Sequence, residues 1–260
     1  MVRFSAIRLS LAAVVLAALA ACGAPNGANQ APGGVYDPYE TGNRKVHAFN
    51  RSVDRSLVRP AGRGVSAVLP DDIEDSVSNF AENLGRPSLV VNAVLQGDLR
   101  GAGLSTVRFL TNSTLGMLGL FDVATDFQVP EHTTDFGQTL QVWGVGEGAY
   151  LELPLVGPST TRHAVGRFVD LFTNPLTNSL PEPERYYSTG ASLSSSLAAR
   201  GRFTDTVDSI LYESADSYAQ ARLIYLQNRR FQLGTPTDEG SLDPYSDDAF
   251  LDPYEDPYAQ

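Results

Sequence analysis

Apolar residues in the middle of this chain recur at three- and four-residue intervals, and that period predicts a mainly helical domain. Ile73, Val77, Phe80 and Leu84 share one helical face, with Asp71 and Asp72 placed to cap the start and Gly85 to stop it. Pro87 suits the first turn of a following segment, Leu89 to Leu95, which runs to Gly97. Asp98 opens another helix carrying Leu104, Val107 and Leu110. Ser159 can cap a helix with Val165, Phe168, Val169 and Phe172 on one face, ending near Pro175. The longest pattern spans about 204–230, with Val207, Leu211, Tyr218 and Tyr225 as its stripe. Unbroken, it would be a strut of about 40 Å at 1.5 Å per residue. Gly144 to Gly148, followed by Tyr150 to Pro154, reads as a turn and one short strand, so little β structure is expected.

Two stretches depart from amphipathic alternation. Phe109 to Phe121 contains no charge, and Leu89 to Leu95 is almost wholly apolar. Crossing a bilayer as a helix takes roughly 20 apolar residues, so neither spans. Such runs are core helices, or re-entrant or interfacial ones.

The ends are different in kind. Leu9 to Ala20 is a short apolar run preceded by Arg3 and Arg8, and it closes on Leu19-Ala20-Ala21-Cys22. That is the layout of a secretory signal, 1–21, and its ending resembles a lipobox in which the Cys22 thiol becomes acylated. Cys22 is the single cysteine of the 260 residues, so no intramolecular disulfide is available. The stretch 22–36 is rich in Gly, Ala, Pro and Asn and reads as a flexible tether, followed by a domain over 37–234. Residues 235–260 carry eight carboxylates, no basic residue and three Asp-Pro-Tyr triplets, the composition of a solvated acidic tail.

Charge narrows the partners. With a net charge of −11, more negative once Arg3 and Arg8 leave with the signal, the chain offers no basic footprint for nucleic acid. Attachment to a membrane must then be hydrophobic, through acyl chains and apolar surface. Catalytic signatures are missing. His47, His132 and His163 stand at no metal-ligand spacing, and no Gly-x-Ser-x-Gly elbow occurs. Gly144 to Gly148 is glycine-rich but is followed by an extended segment rather than a helix start, which makes it a structural turn. Asp71-Asp72 reads as helix capping rather than an acid–base pair. A chance meeting of Ser105, His163 and an aspartate is the one hydrolytic arrangement the sequence leaves open. No metal and no cofactor are expected beyond the covalent lipid on Cys22.

Ordered motifs fill the domain. They begin with Asp37-Pro38-Tyr39-Glu40, Asn43-Arg44, Phe49-Asn50, Asp54 and Arg59-Pro60. Ser78-Asn79-Phe80, Asn83-Leu84, Pro87, Asn92 and Leu95-Gln96-Gly97-Asp98 follow. Then come Arg108-Phe109, Asn112, Leu115-Gly116, Gly119 and Phe121-Asp122-Val123-Ala124. The most specific block is Asp135-Phe136-Gly137-Gln138-Thr139-Leu140, with Trp143-Gly144, Leu153-Pro154, Gly157-Pro158 and Arg162 behind it. Tyr218, Arg222, Tyr225, Gln227 and Arg229 close the series. Over about 37–232 the chain resembles the VacJ/MlaA family of outer-membrane lipoproteins. His47, His163 and Ser217 depart from that family's usual pattern.

The resemblance implies a ring-like helical domain with an amphipathic central pore, seated in the inner leaflet of the outer membrane. It implies removal of misplaced phospholipid from the outer leaflet, delivery to a soluble periplasmic carrier, and binding to a trimeric porin. A porin-associated adaptor that conducts no lipid is the alternative. Within such a pore, Asn79, Asn83, Asn92, Gln96 and Asn112 would offer uncharged polar groups to a headgroup, or else tie helices together. Leu95 would face the same channel, and Gly116 and Gly119 would let helices approach closely. Trp143 and Tyr150 are either aromatics at the lipid–water boundary or core.

Overall fold

The computed structural model describes residues 35–234; Cys22, the leader, most of the tether and the acidic tail lie outside the described residues. The tether ends earlier than expected. Val35 packs on Tyr150, Tyr218 and Leu226, and the Tyr36 carbonyl accepts the Tyr150 N–H at 2.9 Å, so both belong to the domain.

The body is mainly helical. It opens with α1 (Glu40–Val53), which passes through a π-helical turn at Asp54–Val58 into α2 (Arg59–Val68). The wider turn sits just before Pro60, which has no N–H to continue the ladder. Extended Leu69 and Pro70 end the rod.

Next comes α3 (Asp71–Leu95), and here the sequence misleads. Gly85 does not stop the helix, and Pro87 lies inside it rather than opening a new one. The 25 residues make a rod of about 37 Å. Its packing outweighs both breakers, and the Leu84 carbonyl beside the proline accepts the Asn174 side-chain amide at 2.9 Å. The aspartates do not cap it by side-chain bonds; Pro70 holds the cap position, and Asp71, Asp72 and Glu74 set negative charge in the first turn. Gly97, at φ 75°, turns the chain, and the expected helix after Asp98 is α4 (Leu99–Thr114), which Asp98 caps by accepting the Gly101 N–H at 2.8 Å. Together α3 and α4 form a helical hairpin.

A tight apolar turn follows at Met117–Gly119, then the short α5 (Val123–Asp126) and α6 (Phe136–Val142), which Asp135 caps through the Gln138 N–H. The expected strand appears as β1 (Tyr150–Leu153), paired antiparallel with β2 (Gly157–Thr160), Tyr150 opposite Thr160. Among the described residues no further strand pairs with its outer edge. Instead Asn43 and Asn50, two turns apart on α1, replace one: Asn43 bonds the Tyr150 carbonyl and the Glu152 N–H, and Asn50 bonds the Leu153 carbonyl and the Leu155 N–H.

The remaining helices are α7 (Thr161–Thr173), α8 (Pro175–Ser179), α9 (Tyr187–Arg202), α10 (Thr204–Asp208) and α11 (Ser217–Gln232). Thr160, not Ser159, caps α7. The 40 Å strut does not exist. A π-helical turn at Ser209–Glu213 and extended Ser214 break it, and Asp216 caps the second half through the Ala219 N–H.

The radial distribution of side chains is the main departure from an ordinary globule. Among the described residues, the buried apolar side chains are alanines plus Leu140, Tyr150, Tyr218 and Leu226. Buried polar and charged residues outnumber them and include Arg86, Arg108, Arg162, Arg200 and Arg229. The large apolar residues point outward: Val107, Leu110, Leu118, Phe168, Leu171 and Phe172 are all exposed, Leu118 at 69%. Periodicity located the apolar faces; it could not say that they face away from the interior.

Candidate functional site

Three polar assemblies hold the interior. The first joins α3, α6, α7 and α11. Asp135 takes both terminal nitrogens of Arg229 at 2.7 and 2.8 Å. Asn92 donates to Asp170 at 2.9 Å and accepts from Thr139 at 3.0 Å. Gln96 donates to Thr134 at 2.7 Å and Thr139 at 2.8 Å, and Thr134 donates to Gln138 at 3.2 Å. Burial pushes the Asp135 carboxyl up, but the Arg229 guanidinium outweighs it and holds the group below its ordinary value. Asp170, without an arginine, is raised by burial. Gly137 and Gly166 let α6 and α7 cross in near contact: a Cβ on Gly166 would collide with the Gly137 backbone.

The second assembly ties α4 to the loop after it. Arg108 holds Asp122 at 2.6 Å, Thr125 at 2.9 Å and the Val129 carbonyl at 2.5 Å. Asn112 donates to Asp122 at 2.8 Å and accepts the Ala124 N–H at 2.9 Å. Asn83 reaches across from α3 to Ser113 at 2.9 Å and to the Leu118 carbonyl. Gly119, at φ 101°, has no room for a side chain against Asn83, and a Cβ on Gly116 would strike the Phe121 and Asn112 carbonyls.

The third lies beside β1. His47 bridges Glu152 at 3.3 Å and Ser217 at 3.1 Å, and Tyr150 donates to the other Glu152 oxygen at 2.5 Å. Next to it opens a cavity of about 280 Å³ whose wall is amphipathic, with His47, Asn50, Arg51, Asp54 and Glu152 among Val53, Val58, Leu155, Val156 and Leu211. Two of the departures from the family pattern, His47 and Ser217, thus touch each other.

The structure brings Asn92, Gln96, Asp135, Gln138 and Arg229 into one network, and Asn83, Asn112, Gly116 and Gly119 into another; Asn43 and Asn50 serve β1. Asn79 is half-buried on α3. Leu95 is exposed, its carbonyl accepting the Trp143 indole N–H at 3.1 Å while that ring meets Phe136 edge-on. The two aromatics part company: Trp143 is exposed and Tyr150 is core. Arg162 pins the glycine-rich loop through the Val145 carbonyl at 2.9 Å. Tyr225 stacks on His163 and bonds it at 2.7 Å. Phe49, Pro60 and Pro154 lie at the surface, and Gly157, at φ 85°, starts β2. His163 is engaged by Tyr225 and Arg167, and no hydrogen bond links it to Ser105.

Sequence reasoning passed over Arg86, Asp170 and the Arg200 cluster. Arg200 bonds Asp54 twice at 2.8 Å and Asp208 at 2.7 Å, joining α9 to the π-helical turn after α1 and to the end of α10. For Asp170 the available signal was a charge breaking an apolar stripe, between Val169 and Leu171. Among the described residues no His/Cys/Asp/Glu cluster could hold a metal, and no helix is long and apolar enough to cross a membrane.

Helices with charge and amides inside and bulky apolar side chains outside define a helical protein with an apolar outer surface, the kind that meets lipid or a partner protein. Comparison with known proteins agrees. The model of the MlaA lipoprotein family matches residues 35–232, and the chain belongs to that family. It is similar, at 34% identity, to the "Intermembrane phospholipid transport system lipoprotein MlaA" of Escherichia coli, over 86% of this chain and 88% of that one. It is 39% identical to an uncharacterised protein of Rickettsia felis, spanning 59% of each chain. A solved chain from work on the "Structural basis for maintenance of bacterial outer membrane lipid asymmetry" superposes at TM-score 0.65 with 32% identity, covering 76% of this chain and 98% of that one.

Proposed function

We propose that this protein is a non-enzymatic lipoprotein that removes mislocalised phospholipids from the outer leaflet of the outer membrane and so maintains lipid asymmetry. Acyl chains on Cys22 hold it at the inner leaflet. The lipid leaves through an amphipathic opening in a ring-like helical body and passes to a soluble periplasmic carrier, with a trimeric porin as membrane partner. Family membership and the name of the E. coli relative support this reading, and the observation that carries it is the inverted body. Moving a phospholipid breaks no bond; it needs apolar surface for the tails and fixed polar groups for the head. The exposed apolar side chains supply the first, and the interior amides and arginines the second.

Deleting the gene should raise outer-leaflet phospholipid and detergent sensitivity, and full-length protein should reverse both. Leu95→Asp should disturb lipid distribution while leaving porin co-purification intact. A variant that releases the porin with lipid distribution unchanged would instead identify a structural adaptor. Fatty-acid release from phospholipid by the pure protein would overturn the non-enzymatic reading.

A further inference from the structure

Among the described residues, Arg86 is a buried cation that, unlike Arg108, Arg162, Arg200 and Arg229, has no hydrogen-bonded carboxylate or carbonyl. Arg86, midway along α3, is 3% exposed, and its Nε and Nη1 have no hydrogen-bond partner. The nearest carboxylates, Glu131 at 3.6 Å and Glu82 at 4.0 Å, lie beyond hydrogen-bond reach, and both side chains are more than half exposed. Arg108 is close but committed to Asp122 at 2.6 Å. Burial, and after it the charge of Arg108, pull the Arg86 guanidinium below its ordinary value. One turn earlier on α3, the Asn83 Oδ1 is a buried acceptor with no donor.

A guanidinium out of water with unfilled donors is among the costliest groups a fold can keep. Replacing it by an apolar side chain would be neutral or stabilising, so its presence points to a ligand. The ligand must bring an anion to Arg86 and a hydrogen-bond donor to Asn83 Oδ1. Two carboxylates border the site, and with Arg108 already paired they leave it without surplus positive charge. A purely anionic headgroup fits this poorly. A phosphodiester with an ammonium two carbons away fits both halves: phosphate oxygens on Arg86, the ammonium on Asn83, Glu82 and Glu131. The exposed carboxylates flank the arginine on its solvent side.

Building on the phospholipid-transport reading above, we propose that Asn83, Arg86, Glu82 and Glu131 form a site that reads a zwitterionic phosphoethanolamine headgroup. The test titrates the full chain in neutral detergent with dihexanoyl phosphatidylethanolamine, dihexanoyl phosphatidylglycerol and inorganic phosphate, by calorimetry. Wild type should prefer the ethanolamine lipid. Arg86→Met should weaken both lipids about tenfold, the loss of one charge-assisted contact, with a melting temperature equal to or above wild type. Arg86→Lys, which keeps the charge without the planar donors, should fall between them. Glu82→Gln with Glu131→Gln should weaken the ethanolamine lipid alone and erase the preference.

Unchanged lipid affinity in Arg86→Met, with wild type still binding, overturns this site and leaves the transport reading standing. Inorganic phosphate binding as tightly as the lipids would assign the site to free phosphate. Equal affinity of wild type for the two lipids would overturn headgroup reading. Wild type that binds neither lipid would overturn the transport reading itself.

Discussion

His163 shows how a single side chain reports the character of this interior. Burial first, then the neighbouring Arg229 and Arg167, lower its imidazole from 6.5 to about 4. The folded form therefore keeps it neutral while the unfolded chain protonates below 6.5. Its stabilising contribution is complete above pH 6.5 and is lost as pH falls toward about 4. Melting curves in detergent should show stability dropping between those limits, and His163→Gln should flatten the drop. Asp170, raised by burial, tilts the other way, so the difference between variant and wild type isolates the histidine. Asp135 acts lower still: held below its ordinary 3.8, it loses its contribution only beneath that pH. Arg229→Met would leave that partly exposed carboxylate without its partner, a loss of about 1.5–3 kcal/mol, measurable by chemical denaturation.

At the scale of elements, fit matters more than propensity. Asn43 completes the edge of β1, so Asn43→Ala should cost about 2 kcal/mol by orphaning the Glu152 N–H and Tyr150 carbonyl. Asn50→Ala should cost less, because the Leu155 N–H it serves is exposed to solvent. The helix crossing gives a paired test. Gly166→Ala, driven into the Gly137 backbone, should destabilise by about 1–3 kcal/mol. Gly103→Ala, with nothing within 4 Å on α4, should stabilise by about 0.5–1 kcal/mol. These elements also show what could be read from the sequence. Helical periods, the helix after Asp98 and the β1 strand were legible because each is a local preference. Gly85 and Pro87 were misread as breakers because the packing that overrides them comes from α7, α9 and the Asn174 amide, far along the chain. The unbroken 204–230 strut was misread for the opposite reason: Ser214 to Asp216 interrupt it without a glycine or proline to announce the break. Of the site, the amides could be listed but not sorted into networks, and Arg86 gave no sign, since its isolation is a property of its surroundings.

The molecule as a whole is turned inside out, and its predictions concern lipid. The exposed turn at Met117–Gly119, with Leu115, Leu118, Leu120 and Phe121 around it, is an apolar tip. Met117 and Leu118 hold left-handed backbone angles of 51° and 63°, a strained conformation for such side chains. Full-length Cys22→Ser protein should still float with phospholipid vesicles, because the body carries its own apolar surface. Adding Leu115→Lys and Leu118→Lys should remove most of that flotation, at about 2.5–3.5 kcal/mol for each lysine driven into hydrocarbon. The same inversion governs how the body behaves in water. Collapse in water, which rescues an ordinary globule, would press Phe168 and Leu171 together and expel the arginines. Without a cover for that surface, the isolated body should self-associate in water, seen as a rising apparent mass with concentration in light scattering.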